Sequence, residues 1–350
     1  MLMVRIITRF IINKRTIKTN KNKNKTIYKY KYLEEDGENL KDKDIFNYIS
    51  SISIPPAYEI VYINPNPKAI YSCIGIDSRG KKQYKFSNYY NEIRGIMKFC
   101  HLIDFGRNLP NIRRKYNTYL DCYNSNKISK IKLISLIVKI IDLCNFRIGG
   151  DRDNITDGII TLKPSHFNIL NREVIINFLG KHSKKNLCSI NDDDTMNCIK
   201  QIVNNVENNR NIFSYYNNNN KRITNITPKD VNFFFKDFGK KITTKNFRTW
   251  AANKILLEEL SKLPYEISIH NRKKNINLAI KKVSEKLHHS PTICKKEYII
   301  PTLINLYIDD KPIFFEEENL YNLDRYENML LNFMTTYYKK YECSKIIDYK

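Results

Sequence analysis

Two periodicities divide this chain. Before about residue 93, apolar and polar residues alternate in short runs; beyond it, apolar residues recur every three or four positions. Thr26-Ile-Tyr-Lys-Tyr-Lys-Tyr has the alternation of a half-buried strand, and Tyr71 to Ile76 predicts another. Pro55-Pro56 and the Asn-Pro pairs after Ile63 punctuate turns. Asp77-Ser-Arg-Gly then turns the chain into a basic, aromatic strand, Lys81-Lys-Gln-Tyr-Lys-Phe. There Lys81, Lys82 and Lys85 suit phosphates, while Gln83 and Tyr84 carry groups suited to base edges. A solvated hairpin tip is the competing reading.

The helical part begins near residue 94. Ile131, Leu133, Ile134, Leu136, Ile137, Val138, Ile140, Ile141, Leu143 and Phe146 cover most sides of a helix over 128–146, which predicts a central buried element. Gly149-Gly150 is expected to end it, leaving Arg147 in the last turn, where a cation complements the helix dipole. Val174, Ile176 and Phe178 alternate toward Gly180-Lys-His-Ser, so 173–190 predicts a hairpin with Lys181 projecting from its turn. Asp192 to Asp194 is read as a solvated turn without metal-ligand partners, and the Asn-rich stretch 204–220 as a flexible surface loop. Pro228 opens a helix that turns Val231, Phe234, Phe235 and Phe238 inward and stops at Gly239. Thr243 or Thr244 caps the next, which runs through Leu260 and holds Arg248 in its first turn. A cation at a helix N-terminus is disfavoured unless an anion is present.

Residues 276–287 predict a helix leading into His288-His-Ser-Pro-Thr-Ile-Cys-Lys-Lys-Glu-Tyr. Ser290 reads as an N-cap and Pro291 as the first helical residue. Thr292, Lys295 and Tyr298 are then expected on one face, Tyr298 about two turns in, with His289 at the helix's positive end. That end favours a phosphate, and a phenol beside an imidazole suits phosphoryl transfer onto the tyrosine oxygen. The chain holds 24 tyrosines, so an ordinary half-buried tyrosine competes with this reading.

Charge narrows the partner. The 350 residues carry a formal net charge of +24, which points to a polyanion, nucleic acid first. Residues 1–33 hold ten Lys or Arg and no Asp or Glu, so 1–25 reads as a basic flexible arm rather than a transit peptide. The eight cysteines are scattered without Cys-x-x-Cys, which argues against zinc and a disulfide framework and for a reducing intracellular compartment. Every apolar stretch of membrane-spanning length is broken by charge, so no membrane span is expected.

In order along the chain, Gly80-Lys-Lys-Gln-Tyr, Phe146-Arg-Ile-Gly with Ile160-Thr-Leu, Phe178-Leu-Gly-Lys, Lys245-Asn-Phe-Arg, and His289-Ser-Pro with Tyr298 resemble the poxvirus-type, type IB DNA topoisomerases. The match covers about 54–308. The resemblance implies an α+β chain: a small β-rich N-terminal domain over 26–93, and a larger, mostly helical catalytic domain over 94–350 of the kind shared with tyrosine recombinases. Together they would form a clamp around duplex DNA. It also implies a monomer acting in a virion, viral factory or host cell, with Tyr298 as nucleophile, Lys181 as general acid, and Arg147, Arg248 and His289 as phosphate ligands. Neither ATP nor a metal cofactor is expected. Lys81, Lys82, Gln83, Tyr84, Lys85 and Phe86 would contact DNA. Phe86 departs from the tyrosine usual in those enzymes, so their pentanucleotide preference is not carried over. His288 stands where glycine is usual, and Pro301 is expected to kink the nucleophile's helix.

Two rivals remain at this point. A tyrosine recombinase shares the Arg, Lys, Arg, His and Tyr logic, but position 245 is Lys where recombinases usually carry His. A basic DNA-packaging protein would explain the charge, though it has no need of a nucleophilic tyrosine.

Overall fold

The computed structural model describes residues 6–18, 24–120, 128–150, 158–217, 221–239, 241–315, 321–344 and 346. The chain divides into two compact units, Met1–Lys98 and Phe99–Lys350. Its class is α+β.

The first unit is a five-stranded antiparallel sheet in the order β2-β1-β3-β4-β5, with one helix, α1 (Lys43–Ser51). Its strands are β1 (Ile7–Lys18), β2 (Asn24–Leu33), β3 (Ile60–Ile63), β4 (Tyr71–Ile76) and β5 (Lys82–Phe86). The basic arm expected over 1–25 is therefore corrected for its described part. Residues 7–18 are a strand, an inner one over Ile7–Phe10, where Ile7 is fully buried and packs with Ile49, Val61, Ile63 and Cys73 in a small core of its own. The alternation there is obscured in the sequence by lysine and asparagine.

In the second unit the long helix α2 runs Asn88–Leu120, its first residues still belonging to the first unit. It starts six residues before the expected change of periodicity, at a turn closed by Ser87 Oγ accepting from Tyr90 N. Gly106 on α2 lies against the Trp250 ring so closely that an added Cβ would come within 2.4 Å of it. Helix α3 (Lys130–Cys144) begins at the Ser129 N-cap and is buried nearly all round, although Leu143 is exposed. Glycine does not end it. Asn145 does, in the left-handed conformation at φ 55°, which asparagine tolerates best after glycine.

A three-stranded antiparallel sheet follows, β6 (Phe167–Ile169), β7 (Val174–Gly180) and β8 (Lys184–Ile190), with a 3-10 turn at Lys181–Ser183 joining the last two. Asp192 is not in a solvated turn. It caps α4 (Asp193–Asn204) and pairs at 2.7 Å with the buried Lys139 of α3, and the acidic first turn complements the helix dipole. The Asn-rich stretch is likewise structured where described: β9 (Ser214–Asn217) pairs with β10 (Arg222–Asn225), anchored by fully buried Ile212 and Phe213.

Helix α5 (Pro228–Phe233), with its Thr227 cap, leads to α6 (Thr244–Ser261) and α7 (Ile269–Lys286), the latter starting seven residues earlier than its periodicity suggests. Short helices α8 (Pro291–Glu297) and α9 (Pro301–Ile308) come next, then α10 (Arg325–Phe333) and, after a π-turn, α11 (Lys339–Tyr341). One apolar core joins these elements around Phe105, Phe146, Phe213, Phe235 and Phe333. Contrary to the reading of scattered cysteines, Cys100 is bonded to Cys343 and Cys144 to Cys188. Partners 243 and 44 residues apart give no local spacing to recognise. No described helix is long and apolar enough to cross a membrane.

Candidate active site

Phe146 is fully buried and meets the Phe178 ring edge-on at 4.9 Å, tying the end of α3 to the hairpin β7–β8. Arg147 follows directly, past the helix rather than in its last turn. Its segment is held by Ile159 N and Ile160 N donating to the carbonyls of Arg147 and Ile148. That pairing needs glycine on both sides: a Cβ on Gly158 would lie 2.3 Å from Gly149 Cα, and Gly149 itself has φ 80°.

Arg248 is the fifth residue of α6, so it lies just beyond the first turn. Its guanidinium is buried, with 3% exposure. It donates to the carbonyl of Asn145 and, at 2.8 Å, to that of Leu287. These carbonyls are the C-terminal ends of α3 and α7, each carrying partial negative charge of roughly half an electron. The two ends hold a buried cation without a carboxylate. Its Nε has no partner among the described residues. Burial, with a smaller contribution from Arg147, pulls its pKa below the ordinary arginine value, while Tyr298 works the other way.

Tyr298 sits at the C-cap of α8, not inside a longer helix. The helix stops at Glu297, and Pro301 opens α9 as its first residue instead of kinking a continuous one. Thr292 and Lys295 are exposed, so Tyr298 shares its buried face with Cys294 instead. The tyrosine is 6% exposed; its ring lies 5.2 Å from that of His289 and 5.5 Å from the Arg248 guanidinium carbon. Burial alone would raise the phenol's pKa. The charge and hydrogen bonding of Arg248, and then of Arg147, outweigh it and bring the pKa below the ordinary tyrosine value. Cys294 is no rival nucleophile, since burial pushes its thiol up to about 11.

The Arg147 Nη2 and His289 Nε2 atoms are 2.7 Å apart. An arginine only donates, so His289 Nε2 is the acceptor in this contact. Both residues line a cleft of about 260 Å³ with Lys181, Lys184, Asn186, Arg248 and His288. No carboxylate is among its described lining residues. The volume falls short of the ~300–1,000 Å³ common for whole small-molecule ligands. It suits one anionic group of a larger molecule. The structure thus brings Arg147, Lys181, Arg248 and His289 to one cleft, with Tyr298 against two of them.

The N-terminal candidates belong to the first unit, Lys81 just before edge strand β5 and the others on it. Lys81, Lys82 and Tyr84 are exposed; Gln83 donates to Asp77 at 2.9 Å and Lys85 to the Ser53 carbonyl at 2.6 Å, and the Phe86 ring is covered by Tyr71, Tyr90 and Arg94.

Comparison with known proteins decides the family. The family model "Eukaryotic DNA topoisomerase I, catalytic core" matches residues 87–305, and "Bacterial DNA topoisomerase IB, N-terminal domain" matches 29–77. The chain belongs to the type IB DNA topoisomerases. DNA topoisomerase 1B of Acanthamoeba polyphaga mimivirus is 28% identical over 300 residues, covering 82% of this chain and 87% of the relative. DNA topoisomerase 1B of Vaccinia virus (strain Copenhagen) is 24% identical over 297 residues, covering 79% and 89%. This topoisomerase therefore spans most of the length of both.

Three residues of the site escaped the sequence reading. Lys184 and Asn186 enter the cleft from the start of β8. Asn253 is fully buried on α6; its Nδ2 donates to the carbonyls of Thr249 and Tyr298, and its Oδ1 accepts from Ile300 N. An asparagine in the stripe of Trp250, Leu256 and Leu257 was the available signal, because an amide on an apolar helix face needs a buried partner.

Proposed function

We propose that this topoisomerase relaxes supercoiled duplex DNA by transesterification at Tyr298. The phenol oxygen attacks a backbone phosphorus in line, forming a 3′-phosphotyrosine as the bond to the 5′ oxygen breaks. Arg147, Arg248 and His289 stabilise the charge that builds on the nonbridging oxygens. Lys181 gives its proton to the departing 5′ oxygen, which is far more basic than a phenoxide. The free end swivels, and its hydroxyl attacks the phosphotyrosine to restore the strand. Bond energy is conserved in the adduct, so ATP has no step to drive, and the cationic side chains supply the charge that a metal would otherwise bring. The protein acts as a monomer, inside the infected cell or its virions if it is encoded by a virus as its relatives are.

The observation that carries this reading is a cation-lined cleft without a carboxylate, built around a buried guanidinium with a spare donor and abutting a phenol of lowered pKa. The test is plasmid relaxation in EDTA without ATP. The protein should relax positive and negative supercoils, and Tyr298→Phe should bind DNA without relaxing it or forming a denaturant-resistant adduct. Relaxation by Tyr298→Phe at the rate of the unaltered protein would sink the proposal.

A further inference from the structure

The ribbon formed by β1 and β2 has no counterpart in the functional account so far. Strand β1 pairs with β3 only from Ile7 to Phe10, whereas it pairs with β2 from Thr8 to Lys18. Beyond Phe10 the two strands continue alone. At about 3.3 Å per residue, Ile11–Lys18 extends roughly 26 Å past the sheet. A register shift between Ile11 and Asn13 marks the base of this extension, as a bulge does where a strand bends and twists more tightly.

A two-stranded ribbon is marginal in water by itself. Here one face is held by aromatic and cationic contacts. The Tyr28 and Tyr30 rings stack at 6.3 Å, Lys14 Nζ lies 5.9 Å from the Tyr28 ring, the Arg9 guanidinium sits 4.2 Å from that of Tyr30, and Tyr30 Oη donates to the Pro56 carbonyl. The charge has one sign. Residues 6–33 contain nine Lys or Arg and no Asp or Glu. Lys14, Lys29 and Lys31 are exposed. An overhang of like charges repels itself, and an external polyanion relieves that repulsion. The family match to the N-terminal domain begins at residue 29, so all of β1 and the outer part of β2 lie outside it.

We propose that the β1–β2 ribbon is a separate DNA-contacting element, placing Lys14, Lys29 and Lys31 on the phosphates that border a groove of the duplex. A two-stranded ribbon fits the major groove, which is about 12 Å wide. Contacts of this kind to the backbone fix position and carry no sequence choice. The inference rests on duplex DNA being the substrate.

The test measures duplex affinity against salt in the Tyr298→Phe protein, which holds cleavage off. One variant carries Lys14→Glu, Lys29→Glu and Lys31→Glu together. A second replaces residues 14–28 by Asn-Gly, a two-residue turn that joins the paired Asn13 and Lys29. A third, with Lys273→Glu, Lys274→Glu and Lys281→Glu on exposed α7 positions, matches the first in net charge. Every phosphate that a variant no longer neutralises lowers the slope of log affinity against log salt by about 0.9. The triple variant should lose about two to three units of slope and at least about tenfold in affinity near physiological salt, the shortened variant, which keeps Lys29 and Lys31, about one unit, and the α7 variant less than the triple variant. Unchanged slopes in the ribbon variants, or an equal loss in the α7 variant, overturn the proposal. If the parent protein shows no salt-dependent duplex binding, the substrate reading fails instead. Retention of the ribbon-dependent charge effect only on anionic lipid vesicles, with none on DNA, also overturns it.

Discussion

Two arginines in the helical unit, Arg113 half-buried and Arg248 buried, have opposite surroundings. Arg113 on α2 is held between two carboxylates, with Nε 2.9 Å from Asp142 and Nη1 2.8 Å from Glu327, and Tyr116 donates to Asp142 as well. Despite burial, these partners raise its pKa above the ordinary value. Arg248 has the carbonyl ends of two helices and the Tyr298 phenol, no carboxylate among its described partners, one donor left over, and a lowered pKa. The first guanidinium is neutralised inside the fold and links α2, α3 and α10. The second is left short of negative charge in the cleft where the proposed function seats a phosphate. Burial therefore says little about the role of an arginine until its counter-charges are counted.

The largest expected effect comes from breaking the neutralised site. Glu327→Ala strips Arg113 of one carboxylate and Trp250 Nε1 of its acceptor, and should cost about 3–5 kcal/mol of stability, read by denaturant unfolding. Cleavage by the protein that remains folded should be unaltered. Arg248→Ala should do the reverse, lowering single-turnover cleavage about 10²–10³-fold while stability changes less than in Glu327→Ala. If both substitutions act chiefly on stability, the contrast between the two arginines is wrong.

His288 offers a pH test of the same cleft. Burial, and then the charge of Arg248, lowers its imidazole to about 4. The unfolded imidazole takes up a proton below about 6.5. Between these values only the unfolded chain is protonated there, so stability falls as the pH drops through this window and levels off below it. The full span corresponds to about 3 kcal/mol. His288 also holds φ at 54°, a conformation that costs a residue with a Cβ about 1–2 kcal/mol. His288→Gly should flatten the loss of melting temperature between pH 6.5 and 4; an unchanged profile would assign that acid sensitivity to other groups. The smallest effect belongs to Ser290→Ala, which removes the cap of α8 and should cost about 1 kcal/mol in thermal unfolding.

Much of this was legible because its causes are local. Ser290-Pro291, Thr243 and the alternation around Lys181 announce their caps and turn in two or three residues, and each is where the pattern put it. Where tertiary partners decide, the pattern misled. Asn145 ends α3 ahead of the glycines because Phe146 must turn into the core and the Asn145 carbonyl meets Arg248. The compensation of Arg248 comes from carbonyls about 100 and 40 residues away along the chain, beyond the reach of any local argument about α6. Strand β1 was hidden by its lysines and asparagines, and Asn253 by its single-letter departure from an apolar stripe.

Asn253 has one more consequence. It grips the main chain on both sides of Ile299, and it stands on the helix that also carries Arg248. The tether of the proposed nucleophile and the seat of a proposed phosphate ligand are thus two points on one helix. On the mechanism proposed above, the anchored end of a broken strand would stay registered against that helix, and the returning hydroxyl would meet the geometry it left. Faithful resealing would then be a property of a helix, independent of how far the loose end has travelled.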